Sequence, residues 1–193
     1  GYVNFGQPIN INQFLNQHVP NWKDDIDAIN PQKPRWLTPS VNVLADQIMT
    51  GINQSAALNA VALIALILHA TDNKALSKSD LEKQLDFFLL IHRETPYSDH
   101  ISMPKESGKE LLAQAILLGK VTVNDDSFGA IISLTGSAIL EMRYYRNNIL
   151  HSFVLPALVC RMLDRTTNIN QQDLVNNTQK LMALSKKELF LWQ

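Results

Sequence analysis

The sequence predicts a mainly α-helical protein with one small β-hairpin and a single β-strand at its amino terminus. Three observations lead to this prediction. After residue 40, apolar residues recur at helical spacing; two alternating segments flank a turn near 121–134; and residues 2–9 alternate between apolar and polar side chains. With 193 residues, 46% of them hydrophobic, the chain is large and apolar enough to form a packed core.

The chain divides into three predicted parts. Residues 1–11 form the strand, residues 12–39 form a connector, and residues 40–193 form a helical domain. A short helix over 11–19 is predicted where the strand meets the connector. Four prolines prevent a long helix in the connector: Pro20, Pro31, Pro34 and Pro39. Because a lone strand has no partners for its backbone groups, we expect the chain to be a piece of a longer protein that supplies the sheet.

The first helices of the helical domain are predicted from caps and apolar spacing. One begins near Ser40, where Thr38 or Ser40 can cap it. A second runs over 55–70 and is apolar on most of its circumference, which indicates a buried central helix. A third begins at the caps of 77–80 and ends before Pro96. Its buried stripe is predicted to contain Leu81, Leu85, Phe88, Leu89 and His92.

A fourth helix begins at Ser107 or Gly108 and ends at Gly119, and the hairpin near 121–134 follows it. Two helices followed by a hairpin are compatible with a winged-helix arrangement, which often binds nucleic acid. The charges oppose that function, because the chain has 17 basic and 18 acidic residues. Phosphate binding requires clustered Lys and Arg, whereas Lys109 here lies beside Glu110. We therefore predict no nucleic-acid partner.

The last third of the chain is predicted to form two helices. A long one runs over 137–163 with a bend at Pro156, and the other runs over 171–189. Cys160 lies in an apolar run and is predicted to be a small buried hydrophobic residue. The apolar runs 56–68 and 149–163 are shorter than the roughly 20 residues that span a bilayer, so we expect core helices.

Most patterns typical of catalytic sites are missing. Ser98, Asp99 and His100 are adjacent, whereas the members of a hydrolase triad come from distant parts of a chain. The five histidines are scattered and there is one cysteine, so we predict no metal site. The glycines form no phosphate-binding loop, and we predict no cofactor.

The polar segment 144–151, with the sequence YYRNNILH, is the one candidate site. Polar side chains beside an apolar run imply a specified network, because burying them without partners is costly. On a helix, Tyr144, Asn147 or Asn148, and His151 share one face. Two interpretations stay open. In the first, Arg146, the asparagines and His151 bind an anionic ligand or order a catalytic element. In the second, they form a buried network that fixes how the helix docks.

The run YYRNNILHSFVLPALV, which begins at Tyr144, resembles a signature of bacterial membrane glycerol-3-phosphate acyltransferases. Further segments resemble the same family in the same order, and the similarity covers essentially all 193 residues. Among these segments are GYVNFGQP at the start of the chain, LNQHVP, WLTP, INQ, PYS and ELFL near its end.

The resemblance implies that the parent enzyme transfers a fatty acyl group from acyl carrier protein or coenzyme A. The acceptor is the sn-1 hydroxyl of glycerol 3-phosphate, and the product is 1-acyl-glycerol 3-phosphate, or lysophosphatidate, for phospholipid biosynthesis. The implied location is peripheral, on the cytoplasmic face of the bacterial inner membrane. The implied partners are the two substrates, a membrane surface and an upstream catalytic domain.

The family's catalytic motif is Asn-His-x-x-x-x-Asp, and none of the five histidines here has an Asp five residues later. No catalytic residue is therefore assigned, and substrate-binding residues stay unknown. The resemblance implies that residues 1–11 are the last strand of an upstream α/β acyltransferase domain. It also implies that the remainder is a structural or regulatory part, which we expect to be inactive in isolation. The alternative is a helical module that acts alone by binding a protein or a membrane surface.

Overall fold

The computed structural model describes residues 3–127, 129–165 and 168–191. Its elements confirm a mainly α-helical fold. The helices are α1 (Ile11–His18), α2 (Leu37–Gln54), α3 (Ala60–Ala70), α4 (Lys78–Glu94), α5 (Gly108–Leu117), α6 (Ala138–Asn147), a 3-10 turn (Leu150–Phe153), α7 (Val154–Arg165) and α8 (Gln171–Leu189). The strands are β1 (Ala75–Ser77), β2 (Thr122–Asp126) and β3 (Gly129–Ser133).

Helix α3 is the centre of the core, as its apolar circumference predicted. Eight of its eleven residues are buried, and it packs against α4, α5 and α6. Its predicted start at residue 55 is wrong. The side chain of Asn59 accepts a hydrogen bond from the backbone N–H of Ala62 at 3.0 Å and begins the helix there. Residues 55–59 instead run beside another segment, where Ala57 forms a parallel bridge with Ser102.

The elements from α3 to β3 form a winged-helix arrangement. The three strands are antiparallel in the order β1, β3, β2 within the described part of the chain. The predicted hairpin is confirmed, although Phe128 in its loop lies outside the described residues. Strand β1 was not predicted, because it has three residues and its partner lies more than fifty residues away. Helix α5 begins as predicted, with a reciprocal capping box between Ser107 and Glu110.

Helix α2 begins earlier than predicted and exposes its apolar residues. Neither Thr38 nor Ser40 caps it, because the helix starts at Leu37 with Trp36 at the cap position. Pro39 lies in the first turn, where a missing backbone N–H removes no helical hydrogen bond. Within α2 the structure buries Ser40 and leaves six large apolar side chains exposed: Leu37, Val41, Val43, Ile48, Met49 and Ile52.

The predicted long helix over 137–163 is wrong. Helix α6 ends at Asn147, a 3-10 turn follows, and α7 begins at Val154. Pro156 therefore lies in the first turn of a new helix and does not bend an old one. No residue of α7 is buried in the described structure, so the prediction of a buried Cys160 is also wrong, and its thiol is exposed.

The amino-terminal segment is extended but unpaired. Residues 3–10 have no strand partner among the residues that the structure describes, so their assignment to an upstream sheet stays a prediction. Gly1 and Tyr2 lie outside the described residues. Helix α1 follows, capped by Asn10. In the described ranges, none of the helices has both the length and the apolar character to cross a membrane.

Candidate functional site

The structure separates the members of the polar segment 144–151. Tyr144 is 68% exposed, and Asn147 and Asn148 are also on the surface. Arg146 donates from Nε and Nη2 to Oδ1 of its neighbour Asn147, at 3.1 and 2.9 Å. The side chain of His151 alone among the five candidates turns into the interior. The segment thus has a surface part and a buried part, and whether the surface part binds an anionic ligand stays a prediction.

His151 completes the carboxyl end of α2. Its Nε2 lies 2.9 Å from the backbone oxygen of Asn53, so this nitrogen carries the proton and donates it. The last carbonyls of a helix have no partner within the helix, which makes this bond a cap. The side-chain amide of Asn53 donates to the carbonyls of Leu189 and Phe190, at 2.8 and 3.3 Å. Asn53 therefore connects the end of α2 to two other elements. Its side chain bonds the end of α8, and its backbone oxygen bonds His151 in the 3-10 turn.

A second buried histidine lies next to this cap. His92 is 1% exposed, and its ring packs 4.5 Å from that of Phe153. Neither ring nitrogen has a hydrogen-bond partner among the described residues. Burial, followed by the nearby charge of His151, lowers the pKa of His92 to about 4. Burial also lowers the pKa of His151, although its bond to the Asn53 carbonyl opposes that change.

Replacing His151 with phenylalanine tests the cap. The ring is kept, but the N–H donor to the Asn53 carbonyl is lost, and we expect the free energy of unfolding to fall by about 1–2 kcal/mol. Urea titration of the 193-residue chain measures the change. As a control, Tyr144→Ala truncates an exposed side chain of the same segment and should change stability by less than about 0.5 kcal/mol. Equal effects for the two variants would contradict the role of His151.

A large open groove lies between the amino-terminal segment, α2, α3 and the end of α6. Its volume is about 1170 Å³. Apolar residues such as Ile48, Ile52 and Val61 line part of it. Nine side-chain amides line the rest: Asn4, Gln7, Gln47, Asn53, Gln54, Asn59, Gln114, Asn147 and Asn148. We call this feature the amide groove, and it takes in both asparagines of the polar segment.

The amide groove is uncharged. None of its lining residues in the described structure is Asp, Glu, Lys, Arg or His. Such a surface offers no ion pair to a phosphate or a carboxylate, but amides both donate and accept hydrogen bonds. Our sequence predictions did not find the groove. A signal was present, since residues 47–71 contain no Asp, Glu, Lys or Arg.

The remaining sequence candidates do not form a catalytic set. Ser98 is buried, and its Oγ accepts a hydrogen bond from the backbone N–H of His100 at 3.1 Å, as in a turn. Nδ1 of His18 donates to the carbonyl of Phe14 at 2.9 Å. In the described residues, no three metal-binding side chains come together.

A family model described as the glycerol-3-phosphate acyltransferase C-terminal region matches residues 1–193. The chain belongs to this family. Its resemblance to these acyltransferases, first seen at YYRNNILH, is thereby confirmed. The match includes the polar segment, the amide groove and the winged-helix elements, so all of these are parts of an acyltransferase C-terminal region.

Curated relatives carry the same name. A glycerol-3-phosphate acyltransferase of Colwellia psychrerythraea is 63% identical over 193 residues, which is all of this chain and 24% of the relative. The enzymes of Shewanella halifaxensis and Shewanella amazonensis are 45% and 41% identical over 191 residues, or 99% of this chain and 24% of each relative. The chain thus spans about a quarter of the length of the curated relatives it matches.

Proposed function

We propose that the parent protein is a glycerol-3-phosphate 1-O-acyltransferase and that this portion supports its fold without performing the chemistry. The match of residues 1–193 to the C-terminal region of that family carries the proposal. The donor would be acyl carrier protein or coenzyme A bearing a fatty acyl thioester, and the acceptor would be glycerol 3-phosphate. The product would be 1-acyl-glycerol 3-phosphate for phospholipid synthesis.

The reaction requires a general base. The sn-1 hydroxyl oxygen attacks the thioester carbonyl carbon, the C–S bond breaks, and the thiol leaves with the proton that the hydroxyl loses. A base must reach that hydroxyl within hydrogen-bond distance. His92 and His151 are buried among side chains, and His18 is bonded to a helix carbonyl. None of the five histidines, including His69 and the exposed His100, has an Asp five residues later. This favours a base in the upstream part, where the family's Asn-His-x-x-x-x-Asp motif would lie.

The alternative, a helical module that acts alone, is less well supported. The exposed apolar side chains of α2 are consistent with a partner surface. However, each relative reported above is about four times as long as this chain. The same uncovered surface is expected of a part removed from its larger protein.

The test compares two proteins. The full-length parent should transfer an acyl group from palmitoyl-coenzyme A or palmitoyl-acyl carrier protein to glycerol 3-phosphate, and the purified 193-residue chain should not. We expect this because the chain contains no Asn-His-x-x-x-x-Asp motif. Mass spectrometry of 1-acyl-glycerol 3-phosphate measures both. Product from the 193-residue chain would refute the structural role, and an inactive full-length parent would refute the proposed reaction.

We also propose that the parent acts as a peripheral protein on the cytoplasmic face of the inner membrane. The product is a lipid precursor, whereas the acyl donors are soluble thioesters, so the enzyme would work at the boundary between the two phases. The full-length preparation allows a direct test. The parent should sediment with membranes and be released by alkaline carbonate, whereas recovery in the unwashed soluble fraction would contradict this location.

A further inference from the structure

Apolar residues form a regular stripe along α2, and most of this stripe is exposed in the described structure. Leu37, Val41, Leu44, Ile48 and Ile52 follow one another at spacings of four, three, four and four, which places them on one helix face. Four of the five are exposed, with Ile52 at 57% and Val41 at 51%. A regular stripe of this kind normally packs against another element. None of the described elements covers this face.

The amino-terminal segment lies at the same place and presents a second apolar face. The amide of Asn4 donates to the backbone oxygen of Ser55 and to Oγ of Ser102, at 2.9 and 2.8 Å. Gly6 lies against Gly51, where an added Cβ would come within 3.2 Å of the carbonyl oxygen. The alternate residues Val3 and Phe5 point away from the body and are 77% and 91% exposed. One face of the segment is therefore bonded to the body of the protein, and the apolar face is exposed.

We propose that these features form the docking surface for the upstream part of the same polypeptide. The surface comprises the α2 stripe, Val3, Phe5 and the amide groove, and an extended segment of the upstream part occupies the groove. This inference rests on the proposed function, in which the chain is one part of a longer acyltransferase. Each relative has about three quarters of its length outside the matched region, and the family model describes a C-terminal region. Because the matched region is the C-terminal one, the upstream part would join this chain at the amino-terminal segment, whose described residues lie at this surface.

The chemistry of the surface favours a polypeptide over a bilayer or an anion. An extended peptide has alternating N–H and C=O groups, and side-chain amides can donate to and accept from both. Helices that lie in a membrane interface carry Lys or Arg on their polar face. No Lys or Arg occurs from Trp36 to Asn73, a range that includes all of α2 and α3. The uncharged groove likewise offers no ion pair to a phosphate group.

Photo-cross-linking in the full-length parent tests the proposal. Benzoylphenylalanine replaces Ile48 in the middle of the stripe, and in a matched variant it replaces Leu184, which is 77% exposed on α8. After irradiation in membranes, peptide mass spectrometry locates the adducts. We expect Ile48 to give an adduct with the upstream part of the same chain in a product of monomer mass, several times more abundantly than Leu184 does.

Each other outcome overturns the proposal. Adducts of Ile48 with phospholipid would identify a membrane surface, and a product of twice the monomer mass would identify a second copy. An upstream adduct no more abundant than that of Leu184 would leave the stripe without the proposed partner. Acyl transfer by the unsubstituted parent is assayed separately. If the parent is inactive but Ile48 gives the upstream adduct, only the proposed reaction is refuted. If the parent is active but the adduct is missing, only the docking surface is refuted.

A second measurement does not depend on cross-linking. In the full-length parent, Ile48→Asp introduces a charge into the stripe, and Leu117→Asp introduces one at a residue that is 88% exposed at the end of α5. Hydrogen exchange of α2 should become faster in the Ile48 variant and stay unchanged in the Leu117 variant, while α3 stays protected in both. Unchanged exchange of α2 in the Ile48 variant would argue against a covered stripe.

Discussion

Replacing Gly108 with alanine is expected to lower the free energy of unfolding by about 3 kcal/mol or more. Gly108 is the first residue of α5, at the point where this helix meets α4. An added Cβ would collide with the carbonyl oxygen of Glu82 and lie 2.9 Å from the Cβ of Leu85. Neither atom is the end of a flexible side chain, and Leu85 is fully buried. Alanine would therefore force the two helices apart.

The hydrogen bonding at this contact prevents an easy adjustment. The backbone N–H of Gly108 donates to Oδ1 of Asp86 at 2.6 Å, which fixes the start of α5 against α4. Moving α5 outward would weaken that bond and open space among the buried leucines of both helices: Leu81, Leu85, Leu111 and Leu112.

Urea titration of the 193-residue chain measures this effect, and a second glycine provides the control. Gly51 lies inside α2, and no atom is within 4 Å of a Cβ added there. Gly51→Ala should therefore raise stability by up to about 1 kcal/mol, because alanine favours the helix. A loss below about 1 kcal/mol for Gly108→Ala would show that the two helices can separate at little cost.

The stability of the chain should fall by up to about 3 kcal/mol between pH 6.5 and pH 4, because His92 is buried as the neutral base. Its pKa is about 4 in the folded chain and near 6.5 when unfolded. Between these values the unfolded chain binds a proton that the folded chain does not. The contribution of His92 to stability is therefore complete well above pH 6.5, is lost as the pH falls, and changes no further below the folded pKa.

Replacing His92 with phenylalanine should remove most of this pH dependence. Phenylalanine keeps a ring against Phe153 and has no group that titrates. Burial also lowers the pKa of His69 and His151, so a smaller slope of the same sign should remain. Urea titrations from pH 4 to pH 8 measure the slope in each variant.

The control for this experiment changes stability without changing a titrating group. Ile132→Val removes one methylene from the core strand β3 and should lower the free energy of unfolding by about 1 kcal/mol at every pH. Its stability should depend on pH as that of the unsubstituted 193-residue chain does. If His92→Phe kept the full slope, the proton uptake would belong to other groups, and the assignment to His92 would be wrong.

The elements that sequence alone predicted well are those whose ends are determined locally. Ser77 and Ser107 cap α4 and α5 by bonding backbone N–H groups three residues ahead, a distance that can be read from the sequence. The buried stripe of α4 follows from apolar spacing alone. The hairpin likewise follows from two alternating segments around a short turn.

The errors arise where distant residues decide the structure. The break after Asn147 is stabilised by His151, whose partner Asn53 lies 98 residues earlier in the chain. The sequence predicts that Pro39 limits a helix and that Pro156 bends one, but each proline lies in the first turn of a helix, where proline is tolerated. The exposure of Cys160 depends on how little of α7 is covered, which no local pattern records.

The candidate site shows the same division. The polar segment 144–151 was recognised from its composition, but the partner of His151 is a backbone carbonyl that no motif indicates. The amide groove combines residues of at least four separate segments, so its shape cannot be read from any one of them. The apolar spacing of residues in α2 predicted a helix, but it does not record that most of the large apolar side chains of that helix are exposed in the described structure.

The bonds of Asn53 to the carboxyl end of α8 have a consequence for the order of events during synthesis. The amide and its nearer acceptor, the carbonyl of Leu189, are separated by 136 residues. At cellular rates of translation, a ribosome needs on the order of 10 s to add that number of residues. The amide at the end of α2 therefore lacks this partner until residue 189 has been synthesised. A nascent chain arrested before Leu189 would lack this closure even with its winged-helix elements already synthesised.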